Sequence, residues 1–173
     1  MYLYKKTIKP KNTVGKISAL LLLLSGGAAF AMANAGIIAL PALAQTIGVI
    51  TFTASIYIAS AYLLREYTIS VELRKDDSCG GEPKYEFRID ERRSKLTYTV
   101  CRMWLSEISS ANAVDRKAQR KTSKEMKKAK KYLYDTTFAP IQRIAISACV
   151  DEEELLIFTT FDEDLLRVLK QYQ

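Results

Sequence analysis

The hydrophobic pattern divides the chain into two regimes. From Ile17 to Leu64 there is no Asp, Glu, Lys or Arg, whereas charged residues recur before and after that run. A single helix crossing a hydrocarbon core takes about 20 predominantly apolar residues, because the core is about 30 Å thick and a helix rises about 1.5 Å per residue. The run is long enough for two such helices and a tight turn. Asn34 and Gly36 lie near its middle and Pro41 follows. The pattern therefore predicts one helix over about Val14–Ala33 and a second over about Leu40–Leu64. Pro41 falls in the first turn of the second, where its missing N–H costs nothing. In lipid every backbone polar group must be satisfied internally, so an antiparallel helical hairpin is the expected form.

The flanks carry an orientation signal. Lys5, Lys6, Lys9, Lys11 and Lys16 precede the run, Arg65 closes it with Arg74 and Lys75 nearby, and the turn is uncharged. Lys and Arg beside membrane spans stay on the cytoplasmic side. The expected location is the cell (inner or plasma) membrane, with two spans and both termini cytoplasmic. Tyr62 and Tyr67 suit the membrane interface. Small residues recur every fourth position, at Ser25, Ala29 and Ala33 and at Thr51, Ser55 and Ala59; such stripes let helix backbones approach. They are expected to pack the two helices together, with a homo-oligomer interface as the other reading. A signal peptide ending at Ala33-Asn34-Ala35 competes with the hairpin. Cleavage there would leave Gly36–Leu64 as a single anchor, but the second apolar stretch follows without the polar gap expected after a cleavage site.

Beyond Leu64 the period changes to two, the signature of half-buried strands. Tyr67–Leu73 alternates, and Asp76–Pro83 is a turn cluster. Tyr85–Ile89 is the next strand candidate, and Asp90–Arg93 reads as a charged turn. Lys95–Cys101 and Met103–Ile108, with Trp104 as a core residue, read as two more strands. Tyr132–Thr136, Ile141–Val150 and Leu155–Phe161 complete the set, with an acidic turn at Asp151–Glu154. Asp162, Glu163 and Asp164 then open a helix whose Leu165, Val168, Leu169 and Tyr172 form one apolar stripe. The fold class is α+β: a transmembrane helical hairpin (17–64) after a basic N-terminus (1–16), then a mainly antiparallel domain (65–173) of about seven strands with an amphipathic C-terminal helix.

The net charge of +7 owes much to the N-terminal flank, since every Asp and Glu lies beyond Leu64. The high pI is thus largely a topology signal. Within the β region Arg116–Lys131 stands apart, with Arg116, Lys117, Arg120, Lys121, Lys124, Lys127, Lys128, Lys130 and Lys131 against the single acid Glu125. It lacks an apolar stripe wide enough for a well-packed helix and reads as a solvated loop or exposed helix. Its eight members from Lys117 onwards are the candidate contacts to anionic lipid, worth about 1 kcal/mol each near a charged surface. Nucleic acid is not expected, because no aromatic residue interleaves the cluster.

Three cysteines without a C-x-x-C pair, and no histidine at all, argue against a disulfide framework and a zinc site. Cys101 and Cys149 lie in apolar strand-like runs and read as buried thiols; Cys79 beside Gly80-Gly81 reads as exposed. No nucleophile elbow, P-loop or dinucleotide fingerprint is present, so neither catalysis nor a cofactor is expected. Asp90 and Glu91 beside Arg92 and Arg93 form the one conceivable acid/base set, and read as solvated.

Strands followed by one terminal helix resemble a pleckstrin-homology-like (PH-like) domain. The whole resembles small bacterial membrane proteins that place two N-terminal spans before such a domain. The stretches carrying this are REYTISVEL from Arg65, YEFRIDERR from Tyr85, LSEI from Leu105 and FTTFDEDLLRVLK from Phe158. The resemblance implies a curved sheet plugged by the last helix and a role in binding lipid, peptide or protein. It transfers no ligand site. The expected function is a membrane-anchored, cytoplasm-facing, non-enzymatic interaction module whose partners are the bilayer and a protein. The alternative is an accessory or assembly subunit of a larger membrane complex.

Overall fold

The computed structural model describes residues 1–10, 13–37, 39–75, 83–137 and 140–172. The chain forms two compact units, Pro10–Arg65 on one hand and Met1–Lys9 with Glu66–Gln173 on the other.

The first unit is a helical hairpin. Helix α1 covers Thr13–Asn34 and α2 covers Pro41–Tyr62. Gly15–Asn34 and Pro41–Ala61 are each long and apolar enough to cross a membrane. Gly36 ends α1 with φ 69°. Its N–H donates to Ala33 O, and the N–H of Ile37 reaches back to Met32 O, so a left-handed glycine closes the last free carbonyls. Pro41 opens α2 as its composition requires.

The seam between the helices differs from the expected stripes. Ala33 and Ser55 are buried and Ala29, Thr51 and Ala59 are half-buried, but Ser25 is exposed and only bonds its own helix, at Leu22 O. Gly26 takes the contact position instead, facing Gly48. The buried positions Ala19, Gly26 and Ala33 are seven apart, the spacing of a left-handed packing seam rather than a strict four-residue stripe. Ser55 Oγ donates across the seam to Ala19 O at 2.7 Å, and Gln45 Nε2 to Asn34 Oδ1 at 2.9 Å.

The second unit is built from two four-stranded sheets. Sheet A has the order β1 (Tyr2–Ile8), β2 (Arg65–Lys75), β3 (Pro83–Arg93), β4 (Leu96–Trp104). Sheet B has the order β5 (Ile108–Asp115), β7 (Gln142–Val150), β8 (Glu153–Thr160), β6 (Lys130–Tyr134). All pairings with resolved register are antiparallel except β6 with β8, which is parallel. Helix α3 (Arg116–Glu125) links β5 to β6, and α4 (Glu163–Gln171) follows β8. The core lies between the sheets: Tyr67, Ile69 and Val71 of β2, Phe87 and Ile89 of β3, Ile144 and Ile146 of β7, and Ile157 of β8 pack with Leu165 and Leu169 of α4. Asp162 caps α4, accepting from Leu165 N at 3.0 Å.

Several expectations are corrected. The N-terminal flank holds a strand: β1 pairs antiparallel with β2, with Ile8 opposite Tyr67 and Thr7 opposite Thr68. Tyr67 accordingly sits in the core, edge-on to Tyr134, and not at a membrane interface. Met103–Ile108 is no strand: Met103 and Trp104 finish β4, Leu105–Glu107 forms a 3₁₀ turn whose Glu107 accepts from Trp104 N, and β5 begins at Ile108. Trp104 is half-buried. Asp90–Arg93 continues β3, and the turn falls at Ser94-Lys95. The turn expected over 76–83 and Cys79 lie outside the described residues, apart from Pro83. Cys149 is exposed because it points away from the core between Ala148 and Val150. Cys101 is half-buried, and burial pushes its thiol up to about 12.

Close backbone approach at Gly26 yields a prediction. A β-carbon there would sit 2.6 Å from Thr51 Oγ1 and 3.0 Å from Gly48 O, whereas one at Gly27 meets nothing within 4 Å. Gly26→Ala should cost about 1–3 kcal/mol by overpacking; Gly27→Ala should cost nothing. Thermal unfolding in detergent separates them, and equal midpoints would refute the seam.

Candidate functional site

The basic stretch resolves into three pieces. Asp115 ends β5 and caps α3, its carboxylate accepting from Ala118 N at 2.7 Å. Along α3, Arg116, Lys117, Arg120, Lys121 and Lys124 are exposed, while Ala118, Gln119, Thr122 and Ser123 are half-buried. The spacing of four puts the bases on one face and the small residues on the other. The helix therefore has a mounting stripe, though a narrow one: Ala118 and Met126 pack on Val114, Ala129, Ala145, Leu156 and Phe158 of sheet B's outer face. Ser147 Oγ donates to Met126 Sδ at 3.4 Å.

A buried polar network fixes the other side of α3. Asp135 is fully covered and accepts from Arg143 Nε at 2.8 Å, Thr160 Oγ1 at 2.7 Å and Thr137 N at 2.8 Å. Arg143 Nη1 then donates to Gln119 Oε1 of α3 at 2.9 Å. Every one of these groups has its partner, the condition under which a buried ion pair is tolerated.

The eight lysine and arginine candidates separate accordingly. Lys130 Nζ pairs with Glu153 at 2.6 and 2.7 Å, which raises its pKa through that hydrogen bond first and charge second. Lys131 Nζ donates to Ser123 O at 2.6 Å, and Lys121 lies 3.8 Å from Glu125. Lys117, Arg120, Lys124, Lys127 and Lys128, with Arg116, make no ion pair among the described residues. α3 thus presents a cationic outer face with one acid, Glu125, at its end. Such a face can attract an anionic surface. Asp90 and Glu91 do not work together: Asp90 accepts from Arg88 Nε and Thr99 Oγ1, each at 2.8 Å, while the buried Glu91 faces the other side of β3 and is held by Arg93 Nε at 2.5 Å.

A second polar cluster lies between β1 and α4. A cleft of about 450 Å3 is lined by Tyr4, Lys5 and Lys6 on one side and Asp162, Asp164 and Arg167 on the other. Asp162 caps α4 and also accepts from Lys6 Nζ. Burial raises the Asp162 pKa, but hydrogen bonds from Lys6 and the Leu165 N–H, with the charge of Lys6, outweigh it and lower it below 3.8. Tyr4 is pushed up by burial and by Asp162 beside it. One signal in the sequence pointed to this residue, the acidic run before the last helix; nothing pointed to its partners on β1.

No family model, no curated protein and no solved structure matches this chain.

The lowered Asp162 pKa fixes the sign of a pH effect. Its stabilisation is present above the unfolded value of 3.8 and is lost as pH falls through the lower folded value. Asp162→Asn keeps a capping side chain but loses the charge, and should cost about 1 kcal/mol at pH 7, since Lys6 is well exposed to solvent. That deficit should shrink from pH 7 to pH 3, as the pH passes below the unfolded value of 3.8. Thermal midpoints at both pH values check this, and a pH-independent deficit would contradict it.

Proposed function

We propose that this chain is a membrane-anchored, non-enzymatic interaction module: α1 and α2 span a bilayer, the β unit stays on the cytoplasmic side, and the basic face of α3 meets anionic lipid there. The observation that carries this is the pairing of β1 with β2. The apolar hairpin is inserted between two adjacent antiparallel strands of one sheet, so both of its ends return to the same unit. The N-terminus and the β unit then share a side, as the lysines before α1 and Arg65 after α2 also require. Cleavage after Ala35 would strip the sheet of β1 and remove the Lys6 contact to Asp162, which speaks for an uncleaved hairpin. Two sheets with a core-packed final helix agree with the PH-like reading, whose members bind lipids, peptides or proteins; fold alone does not choose among these.

Lipid attraction is tested on the β unit freed of its anchor. Because β1 belongs to the sheet, residues 1–9 must be kept, with Lys9 joined to Glu66 through Asn-Gly, a sequence that favours tight hairpin turns. This chain should bind phosphatidylglycerol-containing vesicles and not phosphatidylcholine alone. Replacing Lys117, Arg120, Lys121 and Lys124 by Gln should weaken binding by roughly two to three orders of magnitude, at about 1 kcal/mol per base. Equal binding to both vesicles, or an unaffected variant, overturns the lipid part.

A second reading has its own observation. An apolar groove of about 500 Å3 opens along the helical hairpin, lined by Gly26, Gly27, Phe30, Ala31, Gly48 and Phe52. Small residues on a lipid-facing groove fit a helix of another membrane protein, which makes the chain an accessory subunit. Ala31→Leu, at an exposed position outside the seam, should then abolish co-purification of a membrane partner; retained co-purification counts against it.

A further inference from the structure

Between Glu91 and Val100 every residue is exposed, the longest such run in the β unit among the described residues. It is the tip of the β3–β4 hairpin. Arg93 stands opposite Leu96, so Ser94 and Lys95 alone make the turn, with Ser94 at φ 55°. Leu96 and Tyr98 are 60% and 51% exposed. Val100 has no partner on β3, because Ile89 pairs with Cys101 and Asp90 with Thr99. That bulge turns Leu96 and Tyr98 to the same face as Cys101 and Met103; plain alternation would set Tyr98 and Cys101, three apart, on opposite faces. The core-facing side of the sheet thus runs on past the core as an uncovered apolar strip. Arg92, Arg93 and Lys95 border it.

The end of the sheet at which this tip lies is defined. β2 begins there: the Glu66 carboxylate is 3.9 Å from Arg92 Nη1. β1 ends there, with Ile8 opposite Tyr67. The chain leaves for α1 and returns from α2 at this same end. Ile8 to Thr13 spans at most about 18 Å and Tyr62 to Glu66 at most about 14 Å of extended chain.

We propose that the β3–β4 tip is a membrane-contact element: Leu96 and Tyr98 enter the headgroup region of the bilayer that α1 and α2 span, and Arg92, Arg93 and Lys95 meet its anionic phosphates. This rests on the spanning reading given above. The tip shares its end of the sheet with the two strand ends that the apolar segment joins. The chemistry also suits a bilayer: a leucine, a tyrosine whose ring is apolar and whose hydroxyl is polar, and long cationic side chains that reach for phosphate are the residues enriched at the membrane interface. α3 has the charge without an exposed apolar strip, so its attraction is electrostatic only; the tip combines both.

The test uses the full-length chain with its three cysteines replaced, and a single cysteine at Leu96→Cys carrying an environment-sensitive fluorophore. Leu21→Cys, on an exposed face of α1, reports spanning. In phosphatidylcholine–phosphatidylglycerol vesicles the label at 96 should shift to the blue relative to detergent, lose most of its quenching by aqueous iodide, and be quenched by nitroxide lipid. The shift should shrink in phosphatidylcholine alone. Unchanged iodide quenching at 96, with position 21 quenched by nitroxide lipid, overturns the tip contact and leaves the spanning reading intact. No lipid quenching at 21 overturns both. Protection from iodide without nitroxide quenching at 96 means that protein covers the tip, and overturns the bilayer contact.

Discussion

Pairing of β1 with β2 is the constraint on which the rest depends. Thr7 and Thr68 share a hydrogen bond at 3.0 Å across 61 positions of sequence. Closing a loop of that length carries an entropic cost that grows only slowly, by about 0.6 kcal/mol per doubling. The intervening segment lowers it further. Helices α1 and α2 are antiparallel and touch at Gly26 and Gly48, so their outer ends are neighbours before β1 pairs. In a bilayer that packing would form first, since helices satisfy their own backbone there. β1 would then arrive at the edge of β2 with little entropy left to lose. Lys6 and Tyr4 complete the closure by holding Asp162, which itself caps α4. First strand and last helix are thereby tied through a single carboxylate.

Sheet B solves a different problem, that of seating a cationic helix on an apolar surface. α3 has no buried residue of its own. It is held by a few half-buried small side chains, by Met126 and by the chain of hydrogen bonds from Thr160 through Asp135 and Arg143 to Gln119. Because Asp135 and Arg143 are paired with each other, their charge is spent internally. The outer face of α3 keeps its own.

The sequence was most legible where one signal dominated. An uncharged run with Gly36 and Pro41 gave both helices to within two residues, because length and breakers suffice there. β7 was legible through the recurrence of Ile144, Ile146, Ala148 and Val150 on one face, and β8 as a short apolar run after an acidic turn. β1 was not: Lys5 and Lys6 interrupt any apolar period, and an edge strand needs none, since lysine there also discourages further strand pairing. The break at Leu105 was invisible because Met103, Trp104 and Leu105 form one apolar run across it; what ends β4 is the Glu107 carboxylate on Trp104 N, a contact that no periodicity encodes. Tyr67 was misassigned for a related reason, since proximity to a span said nothing of its inward face. Of the basic site, the composition was legible and the partition was not. Lys130 and Lys131 are taken up by Glu153 and Ser123, which lie far off or across a turn.

Charge segregation, more than net charge, is what gives this unit a cationic surface. The β region is close to electrically balanced, yet its acids are drawn inward or sideways onto arginines. Glu86 lies buried between Arg102, which donates to its Oε1, and Arg74, whose Nε is 2.9 Å from its Oε2 without an aligned hydrogen bond. Glu72, Asp90 and Glu91 are held in the same way by Arg74, Arg88 and Arg93. A pair within a few ångström cancels beyond a Debye length, about 8 Å at physiological salt. Among the described residues the bases of α3 make no ion pair except Lys121 with Glu125, so their field survives to that distance. An anionic surface would therefore feel α3 at a distance, whereas the paired arginines of sheet A act on such a surface only in direct contact, as at the β3–β4 tip.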